Sequence, residues 1–251
     1  MNGKYNEQRQ YSADLEVSSY EVDSQFRLKP TSFMDMAQEI AYLAATEMGF
    51  GYDDLQKKGV VWVLSRMNLK FLRLPLWRDN VTLTTWHKGP RGPFFIRDFK
   101  MTSPSGEVLV LGTSSWVMMD IEARKLCRIE DMIPDETSCK IDAVEIPAGK
   151  VVLPKSVEPK PVGEREVKYS DVDLVGHTNN AKYVVWAMDT IDYEELIKRP
   201  VKELTINFNH ETRPGETVFL EQCQVENGDD ISYYIDAKTA DRSVFCVKID
   251  L

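Results

Sequence analysis

The sequence predicts an α+β protein of two similar units, each an antiparallel sheet laid against one long helix. Three observations predict it. One strong helix signal opens the first half, a run of hairpin-connected strand candidates follows, and the same order returns in the second half.

A short strand at residues 15–22 leads into the first helix, at 31–48. Phe33, Met36, Ala37, Ile40, Ala41 and Ala44 recur there at i, i+3, i+4 and i+7, which makes one apolar stripe. Ser32 with Asp35 suits a capping-box start, and Gly49 stands where a left-handed residue ends a helix. Alternating, branched segments at 61–71, 81–86, 94–101 and 108–119 read as strands. Between them lie Arg78-Asp79-Asn80, Gly89-Pro90-Arg91-Gly92-Pro93 and Ser103-Pro104-Ser105-Gly106, all rich in turn residues.

Residues 140–163, with Pro147, Pro154, Pro159 and Pro161, break the pattern and read as a linker. The expected organisation is therefore a unit at 1–139, the linker, and a unit at 164–251. In the second unit a strand at 166–169 precedes a helix at 180–191, whose inward face carries Ala181, Val184, Val185 and Met188. Strands follow at 203–209, 217–225, 231–238 and 243–249. The halves overlay locally without gaps: residues 68–81 lie over 205–218, so Phe71 matches Phe208, Val81 matches Val218 and Leu74 matches Glu211. A repeat of about a hundred residues is too long for a solenoid and points to a pseudo-dimer.

Composition narrows the function. Apolar residues are 43% and charged residues 28% of the chain, as in globular proteins generally. No apolar run reaches the roughly 18–20 residues of a membrane span, and the polar first residues lack a secretory pattern, so a cytoplasmic protein is expected. Cys127, Cys139, Cys223 and Cys246 form no CxxC or Cys/His cluster. We therefore expect reduced thiols, no metal site and no cofactor. A net charge of −9 argues against nucleic acid as a general partner, although a local basic patch stays effective over about 8–10 Å.

The informative segment runs from Tyr169 to Tyr183: two carboxylates, a glycine, a histidine and two asparagines just before an apolar helix. A helix start offers unpaired N–H groups to a developing oxyanion, and Asp173 with His177 is suited to activating or steadying a water. On spacing alone, an alternative stays open in which Asp171 and Asp173 form turns and Thr178 or Asn179 is an N-cap. Glu211, flanked by His210 and Thr212, stands where the first repeat has an apolar residue. A plain ion pair with Arg213 is its competing reading.

Ser170-Asp-Val-Asp-Leu-Val-Gly-His-Thr-Asn-Asn-Ala-Lys-Tyr183 resembles the signature of the hot-dog thioesterases, and the plant-type fatty acyl-acyl carrier protein thioesterases match it best. Trp62-Val-Leu-Ser-Arg-Met67, Trp116-Val-Met-Met-Asp120 and Arg124-Lys-Leu-Cys-Arg-Ile129 are similar to stretches of that family's first half. Glu203-Leu-Thr205 and the strand leading to Glu211 resemble its second half. The resemblance covers roughly residues 12–249. It implies a tandem, or double, hot-dog fold in which each sheet wraps a long helix.

It also implies a catalytic C-terminal unit, with Asp173, His177 and Glu211 on the family's catalytic positions and Asp171, Val175, Asn179 and Thr212 in support. Chain-length choice falls to the N-terminal unit, where Phe33, Met36, Ala37, Ile40 and Ala44 are expected to line the acyl pocket. Lys88, Arg91, Arg97 and Arg213 are chosen from composition as the docking surface for the carrier.

Two positions depart from the family. Val175 stands where an asparagine is common, and Thr212 where many plant members have cysteine. No other cysteine aligns with the motif, so water is the expected nucleophile. Glu211 and His177 would position and deprotonate it while Asp173 orients the site, and Asp173 as principal base remains open. With valine at 175, the oxyanion must rely on backbone N–H groups near His177. The expected partner is acyl carrier protein bearing a fatty acyl group, with no membrane span and a homodimer left open. The competing functions are a coenzyme A thioesterase or hydroxyacyl dehydratase of the same fold and a non-catalytic acyl-binding module.

Overall fold

A computed structural model of the chain describes residues 1–127, 133 and 137–251. Arg128 and Ile129, the end of one family-like stretch, lie outside the described residues. Contacts divide the chain into two compact units, Met1–Ala148 and Gly149–Leu251. The stretch expected as a linker is thus shared between the units, and its last residues already belong to a strand.

The first unit contains β1 (Gly3–Tyr5), β2 (Tyr11–Glu16), α1 (Pro30–Glu47), α2 (Tyr52–Gln56), β3 (Val60–Phe71), β4 (Asn80–Arg91), β5 (Phe94–Thr102) and β6 (Val108–Asp120). Its strands are antiparallel, in the order β1-β2-β4-β5-β6-β3. The helix α1 packs its apolar stripe on this sheet, with Phe33, Ile40 and Ala44 fully buried. Its start differs from the expected capping box. Lys29 is the N-cap, no side chain caps the helix, and Pro30 at the first position begins the turn with its φ already near the helical value. At the other end Gly49 takes φ +80° as expected.

β4 runs past its expected end through Gly89 and Pro90. A bulge between His87 and Gly89 accommodates the glycine at φ +82°. β2 pairs with β4 only as far as Thr85, so Pro90 sits on a strand edge where its missing N–H leaves no ladder partner unsatisfied.

The second unit contains β7 (Lys160–Glu166), α3 (Asn180–Met188), α4 (Tyr193–Lys198), β8 (Glu203–Phe208), β9 (Thr217–Asn227), β10 (Asp230–Lys238) and β11 (Ser243–Asp250). The strand order is β8-β11-β10-β9-β7, again antiparallel, and α3 packs on β11. Position by position this repeats β3-β6-β5-β4-β2 of the first unit. The repeat extends to single hydrogen bonds. Val17 N–H donates to Asp79 O at 3.0 Å, and Val167 N–H to Glu216 O at 2.9 Å. Leu28 N–H donates to Pro75 O at 2.8 Å, and Thr178 N–H to Thr212 O at 2.9 Å. The overlay of Leu74 on Glu211 is therefore also the overlay of the backbones.

Candidate active site

Between β7 and α3 the chain makes a tight loop held by its own carboxylates. A 3-10 turn at Tyr169–Asp171 is closed by Asp171 Oδ2, which accepts the Lys168 N–H at 2.8 Å. Asp173 Oδ1 then accepts two backbone N–H groups, from Val175 at 3.0 Å and His177 at 3.3 Å. Asp173 N–H donates to His177 O, and Gly176, at φ +83°, donates to Asp173 O. Glycine adopts this left-handed conformation without the steric cost that a side chain brings. Asn179 N–H returns to Asp171 O at 2.8 Å, and Asn179 Oδ1 caps α3 by accepting the Ala181 N–H.

A second segment is clamped to this loop. Thr212, fully buried after β8, shares a 2.7 Å hydroxyl hydrogen bond with Thr178. Its N–H donates to the Tyr183 phenol oxygen at 3.0 Å, and its hydroxyl lies 3.0 Å from the same oxygen. Burial pushes the Tyr183 phenol above its ordinary pKa, which keeps it a neutral donor and acceptor. The clamp fixes where Glu211 emerges. His177 Nε2 lies 3.5 Å from Glu211 Oε1, with the two side chains 23% and 30% exposed. Arg213 approaches the same carboxylate oxygen at 3.6 Å. A half-buried imidazole and carboxylate thus face solvent together, backed by a dry hydroxyl network.

The structure brings Asp173, His177 and Glu211 to the junction of loop and strand end, with Asp171, Asn179 and Thr212 acting through backbone bonds and the clamp. Sequence reasoning missed Tyr183, although it stands in the quoted motif; an aromatic in an apolar helix carries no sign of a polar task. Val175 is 41% exposed, so its side chain does not pack under the helix. The expectation for the oxyanion needs correction. The N–H groups of Val175, Gly176, His177, Thr178 and Asn179 are all donated within the chain. Asn180, first residue of α3, donates its N–H to no group among the described residues.

The first unit carries the same loop without the histidine and the glutamate. Asp23 Oδ1 accepts the N–H groups of Gln25 at 2.8 Å and Arg27 at 2.9 Å, and Phe26 takes the left-handed place of Gly176 at φ 62°. Arg27 replaces the histidine and pairs with the other oxygen, Oδ2, at 2.8 Å. In the second unit no described residue bonds Asp173 Oδ2.

Two further expectations fail in the first unit. Lys88 and Arg97 do not stand free on the surface. Lys88 is held by Asp98 at 3.5 Å and by Asp142, and Arg97 is 5% exposed. Both faces of this part of the sheet are covered, so alternation does not bring a charge to the surface. Arg91 and Arg213 remain exposed. The five expected lining residues of α1 are core, 0–7% exposed. A cavity of about 160 Å³ instead meets the neighbouring face of α1, at Gln38, Ala41, Tyr42 and Ala45.

Two units of this topology, each with a helix on a sheet and one with a carboxylate–imidazole site, define a double hot-dog protein. Comparison with known proteins gives the family. The profile described as the acyl-ACP thioesterase N-terminal domain matches residues 8–137, and that of the C-terminal domain matches residues 155–249. The chain belongs to the acyl-ACP thioesterase family.

Among curated relatives, oleoyl-acyl carrier protein thioesterase 2 of Arabidopsis thaliana is 26% identical over 234 residues, 83% of this chain and 61% of the relative. The dodecanoyl-[acyl-carrier-protein] hydrolase of Cinnamomum camphora is 27% identical, over 78% and 54%. The chain spans about three fifths of the length of the first of these. Among solved structures, an acyl-ACP thioesterase from Bacteroides thetaiotaomicron superposes with a TM-score of 0.86 at 21% identity, covering 97% of this chain and 98% of that one. The 12:0-ACP thioesterase from Umbellularia californica gives 0.82 at 21% identity, over 96% and 93%. At these identities the superpositions speak for the fold.

Proposed function

We propose that the chain hydrolyses fatty acyl-acyl carrier protein thioesters to free fatty acid and carrier protein, with water as the nucleophile. The observation that carries this is the pairing of His177 and Glu211 at 3.5 Å beside an Asp173 carboxylate with one oxygen still open. A water seated on His177 and Glu211 loses a proton to that pair as its oxygen bonds to the thioester carbon. The carbonyl π electrons move to oxygen, and the Asn180 N–H at the start of α3 is the open donor for that charge. Collapse of the tetrahedral intermediate breaks the carbon–sulfur bond, and the proton held by His177 goes to the leaving thiolate. Asp173 orients the loop through Oδ1, and Oδ2 is available to a second water or to His177.

Thr212 argues for water rather than a covalent enzyme intermediate. It stands where many plant members have cysteine, and its hydroxyl is committed to Thr178 and Tyr183. For the carrier, we assign docking to the exposed Arg91 and Arg213, the two of the expected cations that are not held inside the fold. No helix of the described residues is long and apolar enough to cross a membrane. The four cysteines are free thiols, which suits a reducing compartment, and we assign the enzyme to the cytoplasm. Whether the chain acts alone or as a homodimer, the reading requires one site per chain.

The test is release of free fatty acid from one acyl group presented on carrier protein and on coenzyme A. Faster release from the carrier, by kcat/KM, supports the reading. Preference for coenzyme A overturns the substrate, and acyl-carrier binding without acid release overturns the activity.

A further inference from the structure

The strand end that presents Glu211 is tied from a second side, by a residue that the proposed mechanism does not use. Arg242 ends the turn between β10 and β11, where its carbonyl accepts the Thr239 N–H at 2.9 Å. One nitrogen of its guanidinium, Nη2, donates to Glu216 Oε1 at 2.5 Å and to the main-chain oxygen of Glu211 at 3.4 Å. The other oxygen of the Glu216 carboxylate accepts the Arg213 N–H at 2.6 Å. Arg242 and Glu216 thus hold residues 211–216 from one side, and Thr212 pins them from the other to Thr178 and Tyr183.

The first unit shows what the turn alone requires. Leu72 and Arg73 both donate their N–H groups to Leu109 O, as Asn209 and His210 do to Val244 O, so Glu107 stands where Arg242 does. Asp79 Oδ2 accepts the Leu76 N–H at 2.9 Å, in the manner of Glu216. The charges, however, are exchanged. There the cation is Arg73 on the strand end, forked onto Glu107 at 3.0 and 3.1 Å and 3.8 Å from Asp79. In the second unit His210 takes the place of Arg73, and the cation comes from the hairpin instead. The exchange puts a guanidinium on the carbonyl of Glu211, with its charge answered by Glu216 rather than by the reacting carboxylate.

Arg242 and Glu216 are 32% and 30% exposed, and an ion pair so open to water contributes little to stability. Placed at the root of a reacting side chain, the same contact decides where that side chain stands. We propose that Arg242 is a positioning residue for Glu211, fixing the main chain from which the carboxylate reaches His177 at 3.5 Å. Its effect on turnover rests on the hydrolase reading; its effect on the His177 contact does not. Because one nitrogen makes both bonds, a lysine ammonium with its three N–H donors is a fit replacement.

Imidazole nitrogen NMR resonances of the three histidines report the contact directly. Arg242→Gln, checked for folding by circular dichroism, should move the His177 resonances in the same direction as Glu211→Gln does. His87 should stay in place, and Arg242→Lys should keep the parent spectrum. Unmoved His177 resonances in Arg242→Gln overturn the proposal, whether or not the chain hydrolyses thioesters. In turnover of acyl-acyl carrier protein, Arg242→Gln should lower kcat about tenfold or more with KM unchanged, and Arg242→Lys should restore most of it. Added to Glu211→Ala, Arg242→Gln should cost nothing further, since the arginine acts through that carboxylate. An equal fall in both backgrounds assigns Arg242 to general stability and overturns the proposal. No acid release by the parent chain overturns the hydrolase reading instead, and the histidine spectra still decide this one.

Discussion

On the proposed mechanism Asp173 divides its work between two oxygens, and the first unit shows how much of it the turn needs. Asp23 holds the same turn with Oδ1 and gives Oδ2 to Arg27, so the turn needs only one oxygen. We expect Asp23→Ala to lower the melting temperature without changing kcat, and Asp173→Asn to keep the melting temperature while losing turnover. His177→Ala and Glu211→Ala should each reduce kcat about 10²–10⁴-fold, as removal of a general acid–base group does, with circular dichroism unchanged. Near-normal turnover in Glu211→Ala removes that residue from the mechanism.

A separate prediction concerns His87, 1% exposed, whose pKa burial and then Arg97 lower to about 3. Between pH 6.5 and 3 the unfolded chain binds this proton and the folded chain does not. Stability should therefore fall on acidification through that window, at up to about 1.4 kcal/mol per pH unit. Denaturation of His87→Phe beside the parent checks it; an equal slope in both assigns the loss to other groups.

At the scale of elements, the long periodic pieces were legible and the short ones were not. α1, β3 and β5 begin within one residue of their expected starts because an apolar stripe or alternation of that length reports its own burial. β1, α2 and α4 are three to six residues long, and their order comes from contacts distant in sequence. β7 begins six residues before the strand expected at 166–169, since every residue from Lys160 to Glu166 is exposed and the strand shows no alternation to read.

The site was half legible. Asp173, His177 and Glu211 stood out as polar residues in an apolar setting. The clamp of Tyr183, Thr178 and Thr212 did not, because hydroxyls say nothing of their partners until the fold joins them. The exposed loop position 175 gives the third prediction. A buried amide there would cost about 1–3 kcal/mol, but Val175 is 41% exposed, so Val175→Asn should leave thermal stability unchanged. Turnover should stay level or rise through kcat rather than KM. A stable variant that loses most activity means the oxyanion lies elsewhere than at the start of α3.

For the molecule as a whole, the doubled topology does not double the candidate site. The first unit has Arg27 in the place of His177 and Leu74 in the place of Glu211, and its one matching acid is tied to Arg27. Titration of the hydrolytic site with a tight-binding thioester analogue should therefore saturate at one per chain, in a monomer or a dimer. A reproducible value of two contradicts the assignment. The sequence overlay already paired Leu74 with Glu211. It did not show that Asp23 pairs with Asp173, because the offset between the halves differs in that loop: 150 residues there against 137 in the strands.

That one carboxylate, on the proposed mechanism, serves structure and reaction through different atoms has a bearing on descent. After duplication, a copy of this loop loses its reactive partners without losing its shape, because selection on the turn acts through Oδ1 alone. The silent copy is then free to drift toward other tasks while remaining foldable. The two copies already differ beyond positions 27 and 74: Leu28 and Pro75 stand where Thr178 and Thr212 form the clamp, and Pro30, which has no N–H, stands where Asn180 offers one. A fold arranged in this way preserves the frame of a site after the reacting groups themselves are gone.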